Sequence, residues 1–318
     1  MKTKFLNGQR LPALIEPDAR EADSADAFFG ACREHEELLR RALRASGALL
    51  FRGFAPLSDE EFAVFARLFA GRELLDYAGG ASPRVKLGAG VYTSTEYPAH
   101  FALPLHNELS YARRWPELLF FRCVRPASRG GQTSLADSRS VLKNLDAEVV
   151  RRFKSKRIMY VRNLHDGAGT RYSWQEAFET EDRSAVEDLC RAGGAEFAWK
   201  TDGGLRLREV RPATAVHRLT GEEVWFNQAD GFHPSALDAE TYAELRALMP
   251  EEEFRLNSFY GDGEPLEAAS LAHVREVLRR ERVLVEWRAG DVLVVDNMLA
   301  CHGRMPFEGQ RKVVLAMA

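Results

Sequence analysis

The C-terminal end of the chain is a run of short apolar strand candidates with no helix between them. "RVLVEW" (282–287) leads through the turn "RAGD" to "VLVVDN" (292–297), and "RKVVLAMA" (311–318) closes the sequence. Upstream, "AEFAWK", "LRLREV", "TAVHRL" and "EEVWFN" are further short strands broken by Gly and Pro, and "ELLFFRCV" (117–124) is another. Helical periodicity gathers at the front and in insertions. Strands therefore do not alternate with helices as a doubly wound parallel sheet requires. The pattern predicts a mainly β fold with helical additions, a sandwich or jelly roll in which sheet packs on sheet.

The front of the chain carries the clearest helices. Residues 25–44 read as one amphipathic helix with Phe28, Phe29, Cys32, Leu39 and Leu43 near one face. "GALLFRGF" (47–54) follows as a buried strand. "SDEEFAVFARLFAGR" then opens on a capping box, Ser58 with Glu61, and places Phe62, Phe65 and Phe69 at helical spacing. Those aromatics read as core. Further helices are expected around 138–154, 174–191, 239–249 and 266–280. No repeat, low-complexity tract or linker divides the chain.

Composition narrows the function class. The 318 residues are 45% hydrophobic and 29% charged, with a formal net charge of −3, so bulk electrostatics favours neither nucleic acid nor an anionic membrane surface. No apolar run approaches the roughly 18 residues of a membrane span, and the opening "MKTKFLNGQRLPALIEPD" lacks the apolar stretch of a secretory signal. Cys32, Cys123, Cys190 and Cys301 are dispersed, without CxxC spacing. A reduced, cytoplasmic compartment is expected.

The chemistry-bearing residues begin with "LPLHNELSY" (103–111). His106 and Glu108 are two positions apart, so in an extended segment both side chains point to one face and Asn107 to the other. An imidazole nitrogen and a carboxylate oxygen can then meet one cation. "VVDNMLACHGR" supplies a third donor, His302, expected in a loop after an apolar strand that ends at Asp296. Two histidines and one carboxylate form the facial set of non-haem Fe(II) oxygenases; zinc is the alternative, though its catalytic sites keep one open position. His35 and His273 fall on polar helical stretches. His233, in "NQADGFHPS", follows a strand and is a cleft candidate together with Trp225 and Asn227.

Four segments together resemble the TauD/TfdA family of Fe(II)- and 2-oxoglutarate-dependent dioxygenases: "VYTSTEYPAHFALPLHNELSY", "WPELLFFRCVRPASRGGQTSLADSR", "WFNQADGFHPS" and "WRAGDVLVVDNMLACHGRMPFEGQRKVVLAMA". The HxE motif resembles the clavaminate-synthase-like and SyrP-like branch. The resemblance implies one TauD-like domain over 1–318, a double-stranded β-helix with a helical insertion at 138–192. It implies Fe(II) on His106, Glu108 and His302. Thr133, in "RGGQTSLAD", is then expected to contact a 2-oxoglutarate carboxylate. Arg311, in "FEGQRK" on the final strand, is expected to grip the distal carboxylate as a planar fork, with Lys312 on the other face.

The implied activity is oxidation of an unactivated C–H bond with O2, coupled to decarboxylation of 2-oxoglutarate to succinate. Hydroxylation is expected first, with desaturation or cyclisation as variants. The expected substrate is an amino acid or a derivative, free or tethered to a carrier protein, in specialised metabolism. Where the taurine-type enzyme has a sulfonate-binding arginine this chain has Leu315, which argues against a sulfonate. A cupin-type metal-dependent isomerase or hydrolase remains the alternative; it would have no use for Thr133 and Arg311.

Overall fold

The computed structural model describes residues 1–76, 80–81, 84–88, 90–94, 97–167 and 172–318. Thr95 and Glu96, inside the quoted segment 91–111, lie outside the described residues. Among those described, an eight-stranded major sheet runs in the order Lys2–Phe5, Ala13–Glu16, Ala48–Phe51, Val292–Asp296, Leu118–Arg125, Lys312–Met317, Val91–Thr93, Lys86–Gly88. A four-stranded minor sheet has the order Val283–Val285, Thr133–Asp137, Ala300–Arg304, Leu103–His106. The chain passes back and forth between the two. Leu103–His106 is minor, Leu118–Arg125 major and Thr133–Asp137 minor, and Val283–Val285, Val292–Asp296, Ala300–Arg304 and Lys312–Met317 alternate likewise. This is the winding of a jelly roll.

Residue alternation along the strands explains the layers. Leu119, Phe121 and Cys123 point inward and meet Leu135, Val285, Leu293, Val313 and Leu315 between the sheets. Phe120, Val292, Val294 and Val314 point outward into a second core under the helices Ala25–Glu34, Glu36–Ser46 and Asp59–Ala70. The central strands are covered on both faces, which is why "ALLF" and "VLVV" are unbroken apolar runs. In the helical layer Phe28 and Phe65 stack with centroids 4.9 Å apart, and Phe51 meets Phe65 edge-on at 5.6 Å. The capping box of Ser58 and Glu61 is formed.

Three expectations need correction. The helix expected over 25–44 is two helices, broken at His35. The imidazole there lies 3.4 Å from the Met1 amine and 3.5 Å from Glu21, so contacts to the N-terminal segment hold the break. The stretch 138–192 contains four helices but also a strand, Ile158–Leu164. "IMYVRNL" is rich in β-branched and aromatic residues, and it pairs on both sides, with Leu205–Arg211 and Leu256–Tyr260. Together with Glu196–Trp199 these strands form a side sheet. It shares with the outer face of the minor sheet a core that includes Ala136, Cys301, Tyr160 and Tyr260. Finally, His302 is not in a loop: it is the central residue of strand Ala300–Arg304.

Truncating Phe65, which is 1% exposed among four aromatic neighbours, tests the helical layer. Phe65→Ala is expected to lower stability by about 3–5 kcal/mol in urea unfolding, with the metal affinity of the folded fraction unchanged.

Candidate metal centre and its pocket

In the minor sheet, antiparallel pairing sets His302 directly opposite His106. Directly opposed residues share a face, so both imidazoles enter the space between the sheets, with ring centroids 4.4 Å apart. Nδ1 of His106 lies 2.8 Å from the Pro104 carbonyl. Its Nδ1–H donates there, which turns Nε2 inward. His302 is held by packing, its ring 5.2 Å from Phe121. Burial, then the neighbouring His106 and Arg84, push its pKa well below the ordinary imidazole range. It is therefore neutral at physiological pH, as a metal ligand must be.

Glu108 completes the set from just beyond the strand end. Its Oε2 is 4.0 Å from Nε2 of His106 and 4.0 Å from Nε2 of His302. One donor atom from each of the three residues lies within 4.8 Å of the others. Asn297, fully buried, fixes the glutamate backbone from both sides. The Glu108 N–H donates to Asn297 Oδ1 at 2.7 Å, and Asn297 Nδ2 donates to the Glu108 carbonyl at 2.9 Å and to Pro116 at 2.8 Å. Asn107 points the other way and donates to the Asn297 carbonyl at 2.6 Å. Asn297 opens the turn that leads into His302. Asp296 tightens that turn by accepting from the N–H groups of Met298 and Leu299, while its second oxygen lies 3.1 Å from His217 Nε2. Two imidazoles, one buried and one half-buried, with one buried carboxylate are a donor set that fits a divalent transition metal such as Fe(II).

A pocket of about 420 Å³ opens beside these donors, lined by Thr133, Phe121, His302, Arg304, Arg311 and Val313 among others. Thr133 lies opposite Arg304 in the minor sheet. The indole N–H of Trp287 donates to Thr133 Oγ1 at 3.0 Å, which leaves the hydroxyl proton available to a ligand. Arg311 precedes the final strand, Lys312–Met317, by one residue. Its Nε donates to the Gly131 carbonyl at 3.1 Å. Burial, then the positive charge of Arg304, push the Arg311 pKa down to about 10. That is the signature of a desolvated guanidinium that an arriving carboxylate would restore. Lys312 is exposed, as alternation requires. Arg304 is occupied by the carbonyls of Tyr97, Pro98 and Phe101 at 2.7–3.0 Å. Leu315 lies fully buried in the core between the sheets.

The three cleft candidates lie elsewhere. Trp225 packs against Phe153 at 5.4 Å in the core behind the minor sheet. Asn227 bridges the Ala213 carbonyl and the Ala229 N–H. His233 caps a short turn by accepting from the Ser235 N–H at 3.1 Å. None of these side chains lines the pocket beside the metal donors. Sequence reasoning missed Asn297, Trp287 and Arg84. The first two stand inside quoted motifs and could have been singled out. Arg84, whose guanidinium reaches Glu108 Oε2 at 2.5 Å, stands in no motif.

A jelly roll with two histidines and a carboxylate converging between its sheets defines a mononuclear metalloenzyme of the non-haem iron type. Comparison with known proteins agrees. Residues 16–317 match the family described as "Taurine catabolism dioxygenase TauD, TfdA family". The dapdiamide synthesis protein DdaC of Enterobacter agglomerans is 37% identical over 313 residues, covering 98% of this chain and 92% of that protein. A clavaminate synthase-like protein of Arabidopsis thaliana is 30% identical over 326 residues, covering 99% of this chain and 95% of that protein. Among solved structures, PvcB from Pseudomonas aeruginosa superposes with a TM-score of 0.53 at 17% identity, covering 97% of this chain and 85% of that one. A taurine dioxygenase from Burkholderia xenovorans gives 0.53 at 16% identity, covering 99% and 88%. The chain belongs to the TauD/TfdA family of Fe(II)- and 2-oxoglutarate-dependent dioxygenases.

Asn297 carries a test of this geometry. Asn297→Ala removes the partners of three buried backbone groups and is expected to cost about 3 kcal/mol of stability. Fe(II) affinity should fall by about tenfold or more, because the Glu108 backbone loses its anchor. Urea unfolding and anaerobic iron titration measure the two effects.

Proposed function

We propose that His106, Glu108 and His302 hold the iron of this dioxygenase, that Arg311 binds the distal carboxylate of 2-oxoglutarate, and that Thr133 contacts a 2-oxoglutarate carboxylate. The observation that carries this reading is the shared pocket. His106 and His302 line it, with Glu108 Oε2 4.0 Å from both imidazoles, and Thr133 and the desolvated Arg311 line the same pocket. Iron with 2-oxoglutarate and O2 supplies the C–H oxidising chemistry when bound. The chain contributes placement. The opposed strands orient the imidazoles, Asn297 anchors Glu108, and Trp287 turns the Thr133 hydroxyl toward the ligand. Phe121 and Val313 keep the pocket wall apolar, which strengthens the pairing of Arg311 with a carboxylate. An isomerase or hydrolase on the same barrel would leave the Thr133–Arg311 end without a use.

We further propose that the prime substrate is an amino acid or amino-acid derivative of specialised metabolism, oxidised at an unactivated C–H bond, with hydroxylation as the first expectation. Identity of 37% to a protein named for dapdiamide synthesis supports a biosynthetic role. The substrate is free or carried on a carrier protein. A succinate-release screen over free and carrier-loaded amino acids separates the two and identifies the substrate. We take residues 1–318 to work as one domain. No helix among the described residues is long and apolar enough to cross a membrane, and the four cysteines are free. We place the protein in the cytoplasm.

Two outcomes are expected. His302→Ala and Glu108→Ala abolish iron binding and succinate release while circular dichroism stays native; wild-type iron stoichiometry in either variant would remove that residue from the set. Arg311→Ala raises the KM for 2-oxoglutarate tens-fold or more, since a desolvated charge pair loses on the order of 2–5 kcal/mol. The KM for the prime substrate stays near wild type. Arg311→Lys recovers only part of the loss, because an ammonium cannot reproduce the fork.

A further inference from the structure

His217 belongs neither to the metal donors nor to the pocket beside them, yet it reaches the turn on which the donors depend. It opens the tip, 217–222, of a small hairpin formed by strands Thr214–Val216 and Glu223–Trp225. Backbone bonds close that tip. The His217 N–H donates to the Glu222 carbonyl, and the Gly221 N–H to the His217 carbonyl, each at 2.9 Å. The Thr220 N–H donates to Nδ1 of the imidazole at 3.1 Å. Nδ1 is therefore the acceptor nitrogen, and the ring proton stands on Nε2. From there it is donated to Asp296 Oδ2 at 3.1 Å. Both residues are buried, His217 at 6% exposure and Asp296 at 7%.

The carboxylate held in this way has a second task. Its Oδ1 accepts from the N–H groups of Met298 at 3.1 Å and Leu299 at 3.0 Å. Asn297 stands inside that turn, and its side chain holds the Glu108 backbone by both N–H and carbonyl. The hairpin also packs on the turn, since Val224 and Phe226 share a small core with Met298 and Leu299. Among the described residues, His217 is the side chain that donates to Oδ2. Remove it, and a buried carboxylate oxygen is left without a donor, which is costly. The relief open to Asp296 is to rotate its carboxylate. Rotation releases the Met298 and Leu299 N–H groups and lets Asn297 shift. Glu108 stands beyond the end of strand Leu103–His106, so no ladder of its own resists that shift.

We propose that His217 is a positioning residue for the metal centre. Its Nε2–H fixes the Asp296 carboxylate, and through the turn 296–299 it fixes the place of Glu108 at the metal. His217 itself touches none of the three donors. The proposal rests on the reading of His106, Glu108 and His302 as the iron site.

The test measures anaerobic Fe(II) affinity and the charge-transfer band of the Fe(II)–2-oxoglutarate complex. It compares wild type with His217→Leu, His217→Gln and Asp296→Asn, and uses Phe65→Ala as a destabilised control remote from the centre. His217→Leu keeps an apolar body and removes the donor. It is expected to weaken Fe(II) about tenfold or more and to shift the band. His217→Gln, whose amide N–H can replace Nε2–H, recovers most of both. Asp296→Asn has one acceptor oxygen where the turn and His217 need two, and it falls to the level of His217→Leu. In that background His217→Leu adds little, because the two residues act through one bond. Phe65→Ala leaves affinity and band unchanged. Wild-type affinity and band in His217→Leu overturn the proposal. An equal loss in His217→Gln also overturns it, by assigning the effect to ring packing. An equal loss in Phe65→Ala overturns it by assigning the effect to stability alone. If His217→Leu does not fold, Asp296→Asn decides, and wild-type affinity there overturns the proposal. A wild-type protein that binds no Fe(II) would instead overturn the underlying reading of the site, and this proposal with it.

Discussion

The centre depends on one strand–turn–strand unit, Val292–Asp296 to Ala300–Arg304, which crosses from the major to the minor sheet. Its outgoing strand is locked between Ala48–Phe51 and Leu118–Arg125, and its returning strand between Thr133–Asp137 and Leu103–His106. The turn between them holds Asn297, which anchors Glu108, and the returning strand holds His302 opposite His106. All three donors are thus referred to one element with both its strands buried inside sheets. A site built this way keeps its geometry because moving either histidine would break a ladder of backbone hydrogen bonds, and moving Glu108 would break its bonds to Asn297.

Around that strand–turn–strand unit the charges are placed unevenly. Elsewhere in the fold buried charges are paired: Arg52 with Asp291 at 2.6 Å, Arg162 with Glu209 at 2.9 Å. Asp291 also accepts from the Arg288 N–H, so this pair closes the "RAGD" turn that feeds strand Val292–Asp296. The pocket is the exception, with Arg311 set against carbonyl oxygen and apolar wall rather than an acid. A protein tolerates such a desolvated cation where a ligand regularly supplies the missing anion. Stability and function therefore pull apart here, and the pocket is the place where binding of a dicarboxylate should stabilise the fold.

Much of this was readable in the residues. The alternation in "ELLFFRCV" and the unbroken apolar "VLVV" place strands correctly because burial of a strand face is a local pattern of period two. Ser58 and Glu61 mark a helix start because a cap acts within one turn. The HxE spacing puts His106 and Glu108 on one face for the same local reason. What failed was of another kind. Ile158–Leu164 lies between helices, and only its partners in the side sheet make it a strand. Local spacing also did not show that the side chains of Trp225, Asn227 and His233 meet a core, a bridge between backbone groups and a turn cap, away from the pocket beside the metal donors.

The sequence by itself determined the donor types, the strand faces and, through four long motifs, the family. Those rest on neighbours in the chain, whose relations are set by backbone geometry. Only the tertiary structure decided that His302 stands in register with His106, that Asn297 clamps a backbone 189 residues away, and that Arg84 meets Glu108 from a separate segment. Strand register and side-chain approach between distant segments are decided by how the sheets pack and by which buried polar groups must find partners, and no local spacing encodes either.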